Sequence, residues 1–141
     1  MVTQVFINLP INSTKKSNPF FEQLGFKFNP LFSNDVTTCL VINEHASVML
    51  LEHVHFKKFT KKEIANAHQT TEVLLAITKN NKNEVDDFVV KAISLGATEA
   101  RETQDEGFMY SRAISDLDGH IWEIGWMDMD AFLNLQDNQQ L

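Results

Sequence analysis

Residues 115–128 read SDLDGHIWEIGWMD. An Asp-Gly step at Asp118–Gly119 marks a tight turn, and the apolar run that follows is broken by a single carboxylate, Glu123. Alternation along a strand puts Ile121, Glu123 and Gly125 on one face and His120, Trp122, Ile124 and Trp126 on the other. The Trp-bearing face predicts packing under a helix, which leaves Glu123 on the other side of the sheet.

Upstream, the same kind of unit is visible twice. "QVFINLPI" reads as a strand and is followed by a helix that Asn12 or Ser13 can cap. That helix carries Phe20, Phe21 and Leu24 as its apolar stripe and ends at Gly25, with Pro19 either in its first turn or at a kink. "FKFNPLF", "TTCLVIN" and "SVMLLEH" read as three strands, the last two joined by a turn at 43–46. In 54–70, Thr60 and Glu63 have capping-box spacing, which predicts a linker with a helical turn or two. The order then repeats. "TEVLLAIT" is a strand, and "NKNEVDDFVVKAISLG" is a helix with Val85, Phe88, Val89, Ala92 and Ile93 as its stripe and Gly96 at its end. "ATEARET", "GFMYSRAIS" and "HIWEIGWM" are three more strands.

The predicted fold class is therefore α+β, with two βαβββ modules in one domain over 1–127. Module 1 covers about 2–53, the linker about 54–70 and module 2 about 71–127. Residues 128–141, ending in "NLQDNQQL", read as a polar, frayed C-terminal tail.

Composition narrows the function classes. The chain has 141 residues, 43% of them hydrophobic, and its eleven Phe predict a filled apolar interior rather than disorder. A formal charge of −7 argues against nucleic acid as a partner, because phosphate recognition needs clustered Lys and Arg. The one basic run, Lys57, Lys58, Lys61 and Lys62, is interrupted by Glu63 and reads as a solvated helix start. No stretch approaches the 18 or so apolar residues of a membrane span. The N-terminus lacks the charge and cleavage pattern of a secretory signal and reads as mature sequence. The lone Cys39, in the apolar run "TTCLVI", reads as a buried thiol in a reducing, cytoplasmic setting.

Three pieces carry a family resemblance: the opening "FINLPINSTKKSNPFFEQLGFKF", the second helix ending "ISLGA", and the turn and strand "DLDGHIWEI". Over about residues 2–127 the chain resembles the vicinal oxygen chelate superfamily of glyoxalases, bleomycin-resistance proteins and extradiol dioxygenases, and within it the glyoxalase-like subgroup. The resemblance implies two βαβββ modules forming an open, U-shaped mixed sheet around a cavity, with helices on its outer face. It also implies a homodimer in which each cavity is lined by both chains.

Metal-dependent members of that family draw one His or Glu from the first and fourth strands of each module. The resemblance places those positions near Phe6, Leu50, Val73 and Glu123. Three of the four are apolar, and one carboxylate cannot hold a divalent ion against water. A slip of one residue would offer Asn8 or Ile7, Met49 or Leu51, and Glu72 or Leu74, which does not restore a ligand set. The expectation is thus no cofactor, with a divalent metal (Zn, Ni, Mn or Fe) on Glu123 as the alternative. His53 and His55, at the start of a polar linker, read as exposed and unligated, and His120 as structural or surface.

The expected ligand-binding set is Phe6, Asn8, Leu50, Val73, Leu75, Tyr110, Arg112 and Glu123. A carboxyl among these apolar residues loses hydration, which raises its pKa and makes Glu123 the candidate catalytic base. Arg112 is the expected cation partner for Glu123, and with Tyr110 it either faces the ligand or lies on ordinary strand surface. The first reading is a glyoxalase/bleomycin-resistance-like protein binding an apolar or aromatic small molecule with a polar or anionic group. Sequestration of a toxic compound is one form of it. The alternative is a lactoylglutathione lyase-like isomerase or an extradiol dioxygenase-like enzyme using Glu123.

Overall fold

Short-range signals start and stop the elements of two separately packed units in the computed structural model, which describes residues 2–139. The units are Met1–Ala67 and His68–Leu141.

In the first unit, β1 (Val5–Ile11) leads into α1 (Thr14–Gln23), then β2 (Lys27–Phe28), β3 (Thr37–Asn43) and β4 (Ala46–Glu52). α1 runs through Pro19 without ending there, and its Ser13 cap position makes no side-chain cap bond. The N-terminal amide of Thr14 instead donates to Glu52 Oε2 at 3.0 Å, so a carboxylate from the end of β4 does the work a capping hydroxyl would have done. Gly25, at φ 95°, reverses the chain as predicted. "FKFNPLF" is only partly extended: β2 is two residues long, and Pro30–Phe32 forms a 3-10 turn. The sheet order is β1-β4-β3-β2, with β1 parallel to β4 and the other pairs antiparallel.

Beyond β4, α2 (His53–Phe56) and a 3-10 turn at Lys57–Phe59 precede the irregular stretch to β5. The capping box predicted at Thr60 is absent. Its hydroxyl accepts from the Lys62 amide at 3.1 Å, a local turn with no helix behind it.

The second unit holds β5 (Leu74–Thr78), α3 (Lys82–Ser94), β6 (Thr98–Asp105), β7 (Met109–Ser115), β8 (Ile121–Met127) and α4 (Met129–Gln139). Asn81 caps α3 by accepting from the Glu84 amide at 2.8 Å. Val85, Phe88, Val89 and Ala92 are buried as predicted, whereas Ile93 stays 41% exposed. The sheet order is β5-β8-β7-β6, again with one parallel pair, β5 with β8. Both halves are thus open, mixed, four-stranded sheets with helices, an α+β fold. The segment read as a polar tail is helical over Met129–Gln139, with Phe132 beside Phe108 at 5.9 Å between ring centroids. Residues 140 and 141 lie outside the described residues.

The turn at 116–120 is built around one buried carboxylate. Asp116 accepts from the amides of Asp118 (2.9 Å) and His120 (3.0 Å) and from Trp122 Nε1 (2.9 Å). Gly119, at φ 88°, completes the reversal into β8. His120 is buried at 8% exposure, which makes it a structural residue.

Three expected positions, Leu50, Leu75 and Val73, are displaced. Thr38 bonds Asn18 of α1 and pairs in register with Leu50, so Leu50 faces α1 and is fully buried in that core. Leu75 pairs with Trp122 on the α3 side, and Val73 precedes β5 altogether. In β4 the cause is the unbroken apolar run from Val48 to Leu51, which carries no mark of which face is which.

Candidate functional site

Polar strand residues also lie on the sheet faces turned away from α1 and α3. On the first sheet that face carries Phe6 and Asn8 of β1, paired in register with Ser47 and Met49 of β4. Phe6 is 43% exposed and meets the Phe32 ring edge-on at 6.3 Å. Asn8 is exposed.

On the second sheet, Glu123 sits beside Ala76 of β5 and Ala113 of β7. Its cation partner is Arg101 of β6, whose Nη2 lies 3.0 Å from Glu123 Oε2. The guanidinium reaches across β7 to do this. Nη2 also donates to Ser111 Oγ at 2.7 Å, and Nη1 donates to the carbonyls of Glu102 (3.1 Å) and Ser111 (3.4 Å). The side chains of Arg101 and Glu123 are 27% and 28% exposed. Glu123 is therefore an ion-paired, partly solvated carboxylate, not the stripped one that its apolar neighbours in sequence suggest.

Arg112 and Tyr110 lie on the opposite face. The Tyr110 hydroxyl donates to Asp86 Oδ1 of α3 at 2.7 Å, and Arg112 bridges Asp86 (2.9 Å) and Glu99 (2.8 Å). These bonds hold the Asp86 carboxyl below its ordinary pKa, with Tyr110 the largest cause and Arg112 next. The same Asp86 contact raises the Tyr110 phenol. Tyr110 and Arg112 do share a face, as alternation requires, but it is the helix face, and neither touches Glu123.

The structure thus brings Phe6 and Asn8 together on one sheet and leaves Glu123 on the corresponding face of the other. It assigns Leu50, Leu75, Tyr110 and Arg112 to helix-packed faces. Arg101 and Ser111 were missed from sequence. Strand β6 shifts register twice against β7, between Glu99 and Arg101 and between Arg101 and Gln104, so simple alternation from Thr98 loses the face of Arg101.

The donor set does not fit a divalent ion of the family's usual kind. In the parallel pairs, Asn8–Met49 and Ala76–Glu123 occupy matching places, and only the last residue is a carboxylate. Its Oε2 is already held by a guanidinium. Among the described residues, no three or more His, Cys, Asp or Glu side chains are grouped so as to hold a metal. No described helix is long and apolar enough to cross a membrane.

Comparison with known proteins places this arrangement. No protein-family model and no curated protein matches the chain. Solved structures do match. A hypothetical protein from S. aureus superposes with a TM-score of 0.74 at 27% identity, covering 88% of this chain and 93% of that one. A glyoxalase/bleomycin resistance protein/dioxygenase family enzyme from Burkholderia phytofirmans PsJN gives 0.71 at 17% identity, covering 88% and 98%. The fosfomycin resistance protein FosX from Listeria monocytogenes gives 0.63 at 18%, covering 89% and 90%.

Proposed function

We propose, from the premise that the chain shares the fold of the glyoxalase/bleomycin resistance/dioxygenase proteins of the vicinal oxygen chelate superfamily, that it is a small-molecule-binding protein working without their usual divalent metal. Fold alone does not carry function, so the proposal rests on the site. The observation that supports it is the Glu123–Arg101–Ser111 group. One neutralised carboxylate lies on a strand face otherwise offering Ala76, Ala113 and Ile121, where a metalloenzyme needs several unshared donors. The ligand is apolar or aromatic with one polar group. Binding alone is then the function, whether for delivery or for sequestration of a harmful compound. The protein acts as a homodimer in the cytoplasm, a setting that suits its single buried thiol, Cys39.

Metal analysis of protein purified without chelators tests the metal-free part, with content far below one equivalent expected. One equivalent of a transition metal, lost in Glu123→Gln, overturns it. Turnover of methylglyoxal–glutathione hemithioacetal or of a catechol, abolished by the same substitution, would establish the isomerase or dioxygenase alternative instead. Size-exclusion chromatography with light scattering reads the dimer.

A further inference from the structure

We propose that the polar group received at Glu123 is an uncharged hydrogen-bond donor, such as an amide N–H or a hydroxyl, and not an anion. This inference rests on the binding role proposed above and names the chemistry of the ligand's polar end. Arg101 would be the natural anion receptor, but both of its terminal nitrogens are already doubly engaged. Nη1 serves the carbonyls of Glu102 and Ser111, and Nη2 serves Ser111 Oγ and Glu123 Oε2. Bidentate capture of an anion uses two parallel N–H groups on one edge of the guanidinium, and with both Nη nitrogens doubly engaged neither edge has a pair to offer. It would have to displace Glu123 and then sit beside the carboxylate it had just unpaired. The net charge of −7 raises the cost further.

What the group does leave over is an acceptor. Glu123 bonds Arg101 through Oε2 alone, and Oε1 keeps its lone pairs on a partly exposed side chain. Ala76 and Ala113, its register partners on either side, are too short to cover it. Arg101 is thus a positioning residue: it fixes Oε2 and leaves Oε1 as the acceptor of a partly exposed side chain.

Benzamide and benzoate differ little in shape and oppositely in polar character, so the pair tests the assignment directly. Each is titrated into the full chain by NMR, following the Ala76 methyl and the Arg101 Nε–H signals. Benzamide is expected to bind about tenfold more tightly than benzoate. In Glu123→Gln the amide oxygen takes the Arg101 bond and the NH2 turns outward, so the preference should invert toward benzoate. A wild-type preference for benzoate overturns the inference and leaves the binding role standing. An amide preference that survives Glu123→Gln also overturns it, since Glu123 is then not the receptor. Neither probe moving these signals at millimolar concentration overturns the binding role at this face, and the inference falls with it.

Discussion

Arg101 Nη2 and Glu123 Oε2 meet at 3.0 Å across the width of β7, joining strands that are not neighbours in the sheet. The contact is possible because the intervening residues, Ser111 and Ala113, are small. Ser111 adds its own hydroxyl to the guanidinium at 2.7 Å. A three-strand polar link of this kind has separable energetics.

The ion pair should be measurable as a coupling. In a double-mutant cycle of Arg101→Met and Glu123→Met, urea unfolding should give an interaction energy of about 1 kcal/mol, as expected for a pair still partly solvated. The coupling should shrink in high salt, because solvent reaches both side chains. A coupling near zero at low salt would mean that the pair does not hold Glu123 in place.

Tyr110 is the sole tyrosine, so its ionisation is read directly from the rise in tyrosinate absorbance. Its hydroxyl donates to Asp86 Oδ1 at 2.7 Å, and ionising the phenol beside that carboxylate is opposed, which raises its pKa above the ordinary 10.0. Asp86→Asn removes the charge and should bring the titration back toward the ordinary value. An unchanged midpoint in the variant would show that Asp86 is not the cause.

The local signals were legible because they act over a few residues. The Gly25 and Gly96 helix ends and the Asp118–Gly119 turn each state their conformation in the chain itself. Faces were legible only where polar residues alternate with apolar ones, as at Glu123 between Trp122 and Ile124. In β4 the residues Val48, Leu50 and Leu51 are all buried, so nothing local distinguished the α1 side from the other. Arg112 and Arg101 were exchanged for a longer-range reason. The partners of Arg112 are Asp86 on α3 and Glu99 on β6, and the reach of Arg101 depends on two register shifts that no local pattern encodes.

The corrected register of β4 has its own test. Leu50→Ala empties a fully buried site facing α1 and should cost about 2–5 kcal/mol in urea unfolding. Met49→Ala, on the Asn8 side and only partly buried, should cost clearly less. Equal losses of stability would mean that Leu50 does not face α1.

Asp116 should leave a pH signature of opposite sign to that of most acidic residues. Burial pushes its carboxyl above the ordinary 3.8, although His120, the Trp122 indole and two backbone amides pull the other way. The folded state therefore holds the Asp116 proton more tightly than the unfolded chain does. Its contribution is full below pH 3.8 and is lost as pH rises through the higher folded-state value. Asp86, held low, runs the other way: its contribution is present above pH 3.8 and is lost as pH falls through its folded-state value. Asp116→Asn cannot titrate and keeps one acceptor for the three donors. The stability of the native chain relative to this variant should fall as pH rises from about 3.8, whereas relative to Asp86→Asn it should rise up to about the same pH. Urea midpoints from pH 3 to 8 measure both differences. A wild-type advantage over Asp116→Asn that grows with pH would mean that the hydrogen bonds to the charged carboxylate outweigh its burial.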